Sequence, residues 1–363
     1  MPYRTLLLLM LFCLLQAPAC LADPAALVPQ EGDFVTKHFR FATGEVLDEL
    51  RLHYTTLGTP RRNSSGHVIN AVLVLHGTGG DGHQFLRPQF AGELFGPGQP
   101  LDVSQYYVIL PDGIGHGRSS KPSDGARAHF PAYTYDDMVA AQHLLVTDGL
   151  GVDHLRLLMG TSMGCMHAFM WGERYAAFMD ALMPLACLPV PIAGRNRMWR
   201  KMLIDAIRED PAWDHGDYTQ QPRTGLRTAS DLLLLAGSAP LYMQAEWPTR
   251  DAADQRVAEV TTSSLATLDA NDLLYQVGAS RDYDPSRQLE SISAPVLWIN
   301  SADDFINPPE LGIAQVEARR LRNGRFVLLP ISPNTRGHGS HTWAALWKEE
   351  LLGLLERTGE RAN

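Results

Sequence analysis

Leu155-Arg156-Leu157-Leu158-Met159-Gly160-Thr161-Ser162-Met163-Gly164-Cys165-Met166 is the stretch that decides the fold. Its first five residues form a short apolar run of the kind a buried strand requires. From Cys165 to Tyr175, Met166, Phe169 and Met170 recur at helical spacing. Between the two lies Gly160-Thr161-Ser162-Met163-Gly164, a G-x-S-x-G turn so tight that only small residues fit two before and two after the serine. A strand–turn–helix of this type holds the Ser162 hydroxyl out at the carboxyl edge of a sheet. The helix N-terminus beneath it offers free amides that favour negative charge. A glycine-rich turn with an incidental serine is the plain alternative, and the rest of the chain argues against it.

Outward from this turn, strands and helices alternate. Phe34 to Leu57 reads as two strands joined by a turn at Ala42-Thr43-Gly44-Glu45, and Asn70 to Leu75 as a strand running into His76-Gly77-Thr78-Gly79-Gly80. Tyr106 to Leu110 is the next strand, and Tyr135 to Leu150 a helix with Asp136 and Asp137 near its start. Further strands are expected at Ala181–Ala186, Ala294–Asn300 and Arg325–Leu329. This order predicts an α/β fold, a mostly parallel central sheet with helices on both faces. From 190 to 289 the chain is rich in Arg, Trp, Met and Asp and reads as helices alone. The expected layout is a core of 23–189 and 290–363 with a helical lid inserted at 190–289.

Composition narrows the class. The net charge is −9 with no basic run, which argues against a nucleic-acid partner. Residues 1–22 read as a secretory signal peptide. Arg4 is followed by an apolar run from Thr5 to Leu15, and Gln16-Ala17-Pro18-Ala19-Cys20-Leu21-Ala22 supplies small residues for cleavage. A cut after Ala22 is preferred to a lipoprotein cut before Cys20, and the run is too short to span a bilayer. The expected location is the periplasm or the medium. Cleavage removes Cys13 and Cys20 and leaves Cys165 and Cys187, for which buried free thiols are the default and one bridge the alternative. No Cys and His spacing suits a metal, and His83, His116, His129 and His143 stand singly.

A serine nucleophile needs a base to take its proton and a third group to orient that base. In a strand–turn–helix setting these follow in the order Ser, acid, His. Asp303 and Asp304 lie just beyond the Val296–Asn300 strand, and Gly337-His338 beyond the Phe326–Leu329 strand. His341 remains open as the base, although His338 directly follows a glycine in a loop and His341 is expected to open the last helix. The oxyanion hole is expected from the backbone N–H of Met163 and of Thr78, with Gly77 the neighbouring alternative. His76 is read as a support for that loop.

Together these pieces resemble the α/β-hydrolase superfamily, and several resemble the homoserine O-acetyltransferase family more narrowly. Gly96-Pro97-Gly98-Gln99-Pro100-Leu101-Asp102, Asp137-Met138-Val139-Ala140-Ala141-Gln142, and Ser162-Met163-Gly164 with Met166 and Trp171 are similar to that family's segments. So are Asp210-Pro211-Ala212-Trp213, Gly216-Asp217-Tyr218 and Gly225-Leu226 in the lid, and Gly337-His338. Asp304 followed by Pro308-Pro309-Glu310 resembles the family's acid loop, which favours Asp304 over Asp303. The resemblance implies an acyl-enzyme on Ser162 formed from an acyl donor and passed to an amino-acid hydroxyl. It also implies an arginine in the lid and an aspartate after the base histidine, which hold the amino acid. At those positions this chain has Ser230 and Gly339, and neither can pair with a carboxylate or an ammonium. Arg227 and Arg223 lie nearby as partial substitutes.

The sequence therefore points to an exported serine esterase-like hydrolase acting through an acyl-enzyme, with Ser162, Asp304 and His338 as triad. An O-acyltransferase with another acceptor is the alternative, and a non-catalytic binding protein the alternative of another class. The expected ligand is a small ester or acyl donor, with no metal or organic cofactor. Trp199, Trp213 and Tyr242 are expected either as pocket walls or as core, and the lid as a homodimer surface.

Overall fold

The computed structural model describes residues 28–359, so the expected signal peptide with Cys13 and Cys20 lies outside the described residues. Eight strands form one sheet: β1 Gln30–Arg40, β2 Val46–Leu57, β3 Ala71–Leu75, β4 Tyr107–Pro111, β5 Leu157–Thr161, β6 Leu182–Leu185, β7 Val296–Ser301 and β8 Gly324–Leu329. Their spatial order is β1-β2-β4-β3-β5-β6-β7-β8. β1 and β2 pair antiparallel, β2 lies antiparallel to β4, and every other neighbouring pair is parallel.

Every residue of β3, β4 and β5 is buried, as the central strands of a sheet covered on both faces must be. Alternate side chains serve opposite layers. Leu73, Ile109 and Leu158 pack with Met138 and Val139 of α2 (Tyr135–Leu144) and with Phe169 and Trp171 of α3 (Met163–Arg174). Val72, Val108 and Met159 face the other way, onto Phe90 and Leu94 of α1 (Pro88–Leu94) and Leu351 and Leu354 of α10 (Lys348–Thr358). The helix expected over Tyr135–Leu150 is α-helical only to Leu144 and ends in a wider π turn, Leu145–Gly149.

Between β6 and β7 the described chain is helical: α4 Gly194–Arg208, α5 Arg223–Ala236, α6 Pro240–Glu246, α7 Arg250–Thr267 and α8 Ala270–Gly278. These helices carry an apolar core of their own, built on Trp199, Leu203, Ile207, Leu226, Leu265 and Leu273. A short α9, Ile313–Glu317, follows β7. No helix of the described residues is long and apolar enough to cross a membrane.

Candidate active site

The sharp turn after β5 is built by close backbone approach. A Cβ on Gly160 would stand 2.0 Å from Gly164 O, and one on Gly164 would stand 2.1 Å from Leu75 O. Both positions therefore exclude any side chain, which is the physical content of the G-x-S-x-G spacing. Ser162 itself sits at φ 55°, a conformation that costs a non-glycine residue on the order of 1 kcal/mol or more and that its surroundings must hold. Its N–H donates to Leu185 O at 2.8 Å, and the N–H of Gly164 donates to His76 O at 2.9 Å. Neighbouring strands on both sides thus clamp the turn.

Three loops at the carboxyl edge of the sheet bring the expected residues together. His338 Nε2 lies 2.8 Å from Ser162 Oγ, and His338 Nδ1 lies 2.9 Å from Asp304 Oδ2. Asp304 is buried, and its other oxygen accepts the Ile306 N–H at 2.7 Å. Burial opposes the charge of this carboxylate. The charge and hydrogen bond of His338, with the hydrogen bonds of Asn307 and the Ile306 amide, outweigh it and hold the acid below its ordinary value. An ionised acid keeps the imidazole oriented, with Nε2 free to accept a proton from the serine.

Asp303 does different work. It accepts from Thr335 Oγ1 at 2.7 Å, from Ser301 Oγ at 2.5 Å and from Gly337 N–H at 3.2 Å. It anchors the loop that carries His338 and does not touch the imidazole's nitrogens. His341 does not open the last helix as expected. It lies in a 3₁₀ turn, Gly337–Thr342, seven residues before α10 begins at Lys348. Burial, then the charge of His338, push its pKa down to about 3, so it is a neutral ring packed edge-on against His338 at 5.2 Å.

The loop after β3 faces the serine. A Cβ on Gly77 would meet Ser162 Cβ at 3.2 Å, which places the Gly77–Thr78 backbone directly across from Oγ. His76 supports this loop: its Nε2 accepts Gly113 N–H at 2.9 Å, which leaves Nδ1–H to donate to Gly77 O at 2.8 Å. His116 Nε2 lies 3.0 Å from Thr78 O and fixes that peptide from behind. Met163 is the first residue of α3, so its N–H has no intrahelical acceptor. The Met163 amide is thus free at the turn, and the segment that begins at Gly77 lies against Ser162.

Two supports were not legible in the sequence. Asn307 Nδ2 donates both to Asp304 Oδ2 at 3.0 Å and to Ala186 O at 3.1 Å. Its one sequence signal is its place three residues after Asp304, at the entry to Pro308-Pro309. Cys165 and Cys187 form a disulfide, with Cα atoms 5.8 Å apart, instead of remaining free thiols. It ties α3, three residues beyond Ser162, to the segment after β6 that also holds Asn307.

A cleft of about 560 Å³ has Met166, Leu188, Ile192, Asn196, Ile306 and Asn307 in its walls, the last two being the residues that hold Asp304. Trp199 and Trp213 pack in the helical segment's own core, away from this wall, and Tyr242 stacks under the Arg336 guanidinium at 4.0 Å. Ser230 is buried with its hydroxyl on Ser264 Oγ at 2.9 Å, and Arg223 and Arg227 are exposed on α5. Both arginines of α5 thus face solvent, and Ser230 is turned into the helical core.

The chain matches the model of the alpha/beta hydrolase fold family over residues 70–331. It belongs to the α/β-hydrolase family. Within that family it is 31% identical over 285 residues to a probable acyltransferase of Methanothermobacter thermautotrophicus, covering 77% of this chain and 84% of the relative. It is 29% identical over 305 residues to a homoserine O-acetyltransferase of Geotalea uraniireducens, covering 74% of this chain and 81% of the relative. Among solved structures, that of esterase E22 superposes on this α/β hydrolase with a TM-score of 0.78 at 20% identity. The match spans 90% of this chain and all of the other.

Proposed function

We propose that this α/β hydrolase is an exported serine esterase that works through an acyl-enzyme on Ser162 and resolves it with water. The observation that carries the reading is the unbroken chain Ser162 Oγ–His338–Asp304, with every member at hydrogen-bond distance. His338 Nε2 takes the hydroxyl proton as Oγ attacks the ester carbonyl. The Met163 and Thr78 amides hold the oxyanion, each donor contributing on the order of 3 kcal/mol in the transition state. Collapse breaks the C–O bond to the alcohol, and His338 returns the proton to the departing oxygen. A water, deprotonated by His338, then attacks the acyl-enzyme; the acid leaves and Ser162 regains its proton.

Water is favoured as acceptor because Ser230 and Gly339 cannot hold an amino acid. The names of the relatives favour transfer instead, so that reading stands second. Residues 190–289 act in this scheme as a lid over the ester. The exposed Met198, Met202, Leu235 and Leu241 on that segment support a homodimer through it. Export is supported by the signal-type N-terminus and by the Cys165–Cys187 bridge, which persists in an oxidising compartment. Incubation with a fluorophosphonate probe should label Ser162 stoichiometrically, and absence of labelling in folded protein would sink the catalytic reading. Turnover of short p-nitrophenyl esters with and without alcohols or amino acids then separates the two acceptors. Products dominated by transfer would overturn the preference for water.

A further inference from the structure

Arg200 of α4 is 4% exposed, yet among the described residues none of the charged groups that act on its guanidinium is a carboxylate. Its Nε donates to Asn196 Oδ1 at 2.9 Å and its Nη1 reaches Ser280 Oγ at 3.4 Å; the Trp199 ring lies 4.9 Å away. A buried cation without an anion is costly. The groups around it make the imbalance worse. The Tyr135 hydroxyl lies beside Arg200, Ser280 and Thr78 without a hydrogen bond of good geometry to any of them, and Thr78 Oγ1 is equally buried and unpartnered. The Ser280 hydroxyl is committed to Val277 O at 3.1 Å. What remains is a guanidinium fork beside two hydroxyls whose O–H groups are free to donate. That set is complementary to a carboxylate, and a neutral water would leave the charge unanswered.

The position is as informative as the chemistry. Thr78 directly follows Gly77, which abuts Ser162, while Asn196, the acceptor of the Arg200 Nε–H, lines the cleft that Asn307 also lines. We propose that Arg200, Tyr135 and Thr78 form a carboxylate-binding subsite next to Ser162, so that the preferred ester carries a carboxylate a few bonds from its carbonyl. The inference rests on the acyl-enzyme reading of Ser162. The carboxylate can arrive on the acyl side, as in a monoester of a dicarboxylic acid, or on the alcohol side, as in an acetylated hydroxy acid.

Two substrate pairs distinguish these sources in the mature protein. p-Nitrophenyl hydrogen glutarate is compared with its neutral methyl ester, and O-acetyl-3-hydroxybutyrate with its methyl ester. In one pair kcat/KM should favour the anion by about tenfold or more, and Arg200→Gln should lower that ratio by about tenfold, with Arg200→Lys between the two. A wild-type enzyme without preference for either anion, or a ratio within about twofold of wild type in Arg200→Gln, overturns the subsite. If Arg200→Gln does not fold, inhibition of wild-type p-nitrophenyl acetate hydrolysis decides. Monomethyl glutarate inhibiting and dimethyl glutarate not inhibiting supports the proposal; any other result overturns it. Turnover of neutral esters without charge preference removes the subsite alone, whereas no turnover and no labelling of Ser162 removes both readings.

Discussion

At the scale of single residues, the two aspartates and two histidines near the serine look alike in sequence and differ sharply in contact. Asp304 faces His338 Nδ1 and is held ionised by that ring, Asn307 and the Ile306 amide, while Asp303 ties down the base loop. Because its folded pKa is depressed, Asp304 stabilises the protein above the ordinary carboxylate range, and that contribution is lost only as the pH falls through the depressed value. Asp304→Asn should leave the fold intact and lower kcat by a factor on the order of 10⁴, through loss of the imidazole's acceptor. His341→Asn should keep kcat within roughly tenfold, because a ring held neutral with a pKa of about 3 is no base at neutral pH. Steady-state rates on one p-nitrophenyl ester check both. Equal losses in the His341 and His338 variants would reverse the assignment of the base.

At the scale of elements, the site depends on β5, the turn and α3 being locked to β3 and β6. Leu185 O holds Ser162 N–H, Ala186 O holds Asn307, and Cys187 is bonded to Cys165 on α3. Three consecutive residues, the last of β6 and the two after it, therefore connect the nucleophile's helix to the acid's loop. The bridge closes a loop of 22 residues, which in the chain-entropy account stabilises the fold by about 3 kcal/mol. The double variant Cys165→Ala, Cys187→Ala should melt roughly 5–10 °C lower by calorimetry. Reductant should reproduce the drop in wild type and have no effect on the variant. The strand pattern and the elbow were legible because each is a local rule: continuous apolar runs for buried strands, and glycines where a Cβ would strike backbone. The bridge was not legible, since nothing in the spacing of two cysteines says that β6 lies beside β5.

At the scale of the whole molecule, burial of charge sets how stability follows pH. Glu173, near the end of α3, has a carboxyl oxygen buried without a partner. Burial first, then the charge of Asp284, push its pKa up to about 8. The folded state thus binds a proton that the unfolded chain releases near 4.5. The stabilisation is complete below that pH and is lost progressively as pH rises through about 8. Glu173→Gln should therefore stabilise the fold by roughly 2–4 kcal/mol at pH 8–9, read as a higher melting temperature, and change it little at pH 4. A parallel shift at both pH values would refute that origin. The order of the strands, the serine on its turn, and the acid and base loops after the next strands were all determined by the sequence alone. Each follows from interactions between residues close along the chain or from a steric demand on one position. Only the tertiary structure decided which aspartate meets the histidine, that the two cysteines join, that Trp199 and Trp213 pack as core, and that Arg200 stands without an anion beside Tyr135 and Thr78. Those outcomes depend on which distant segments share one edge of the sheet, and the spacing within any single segment carries no record of its neighbours.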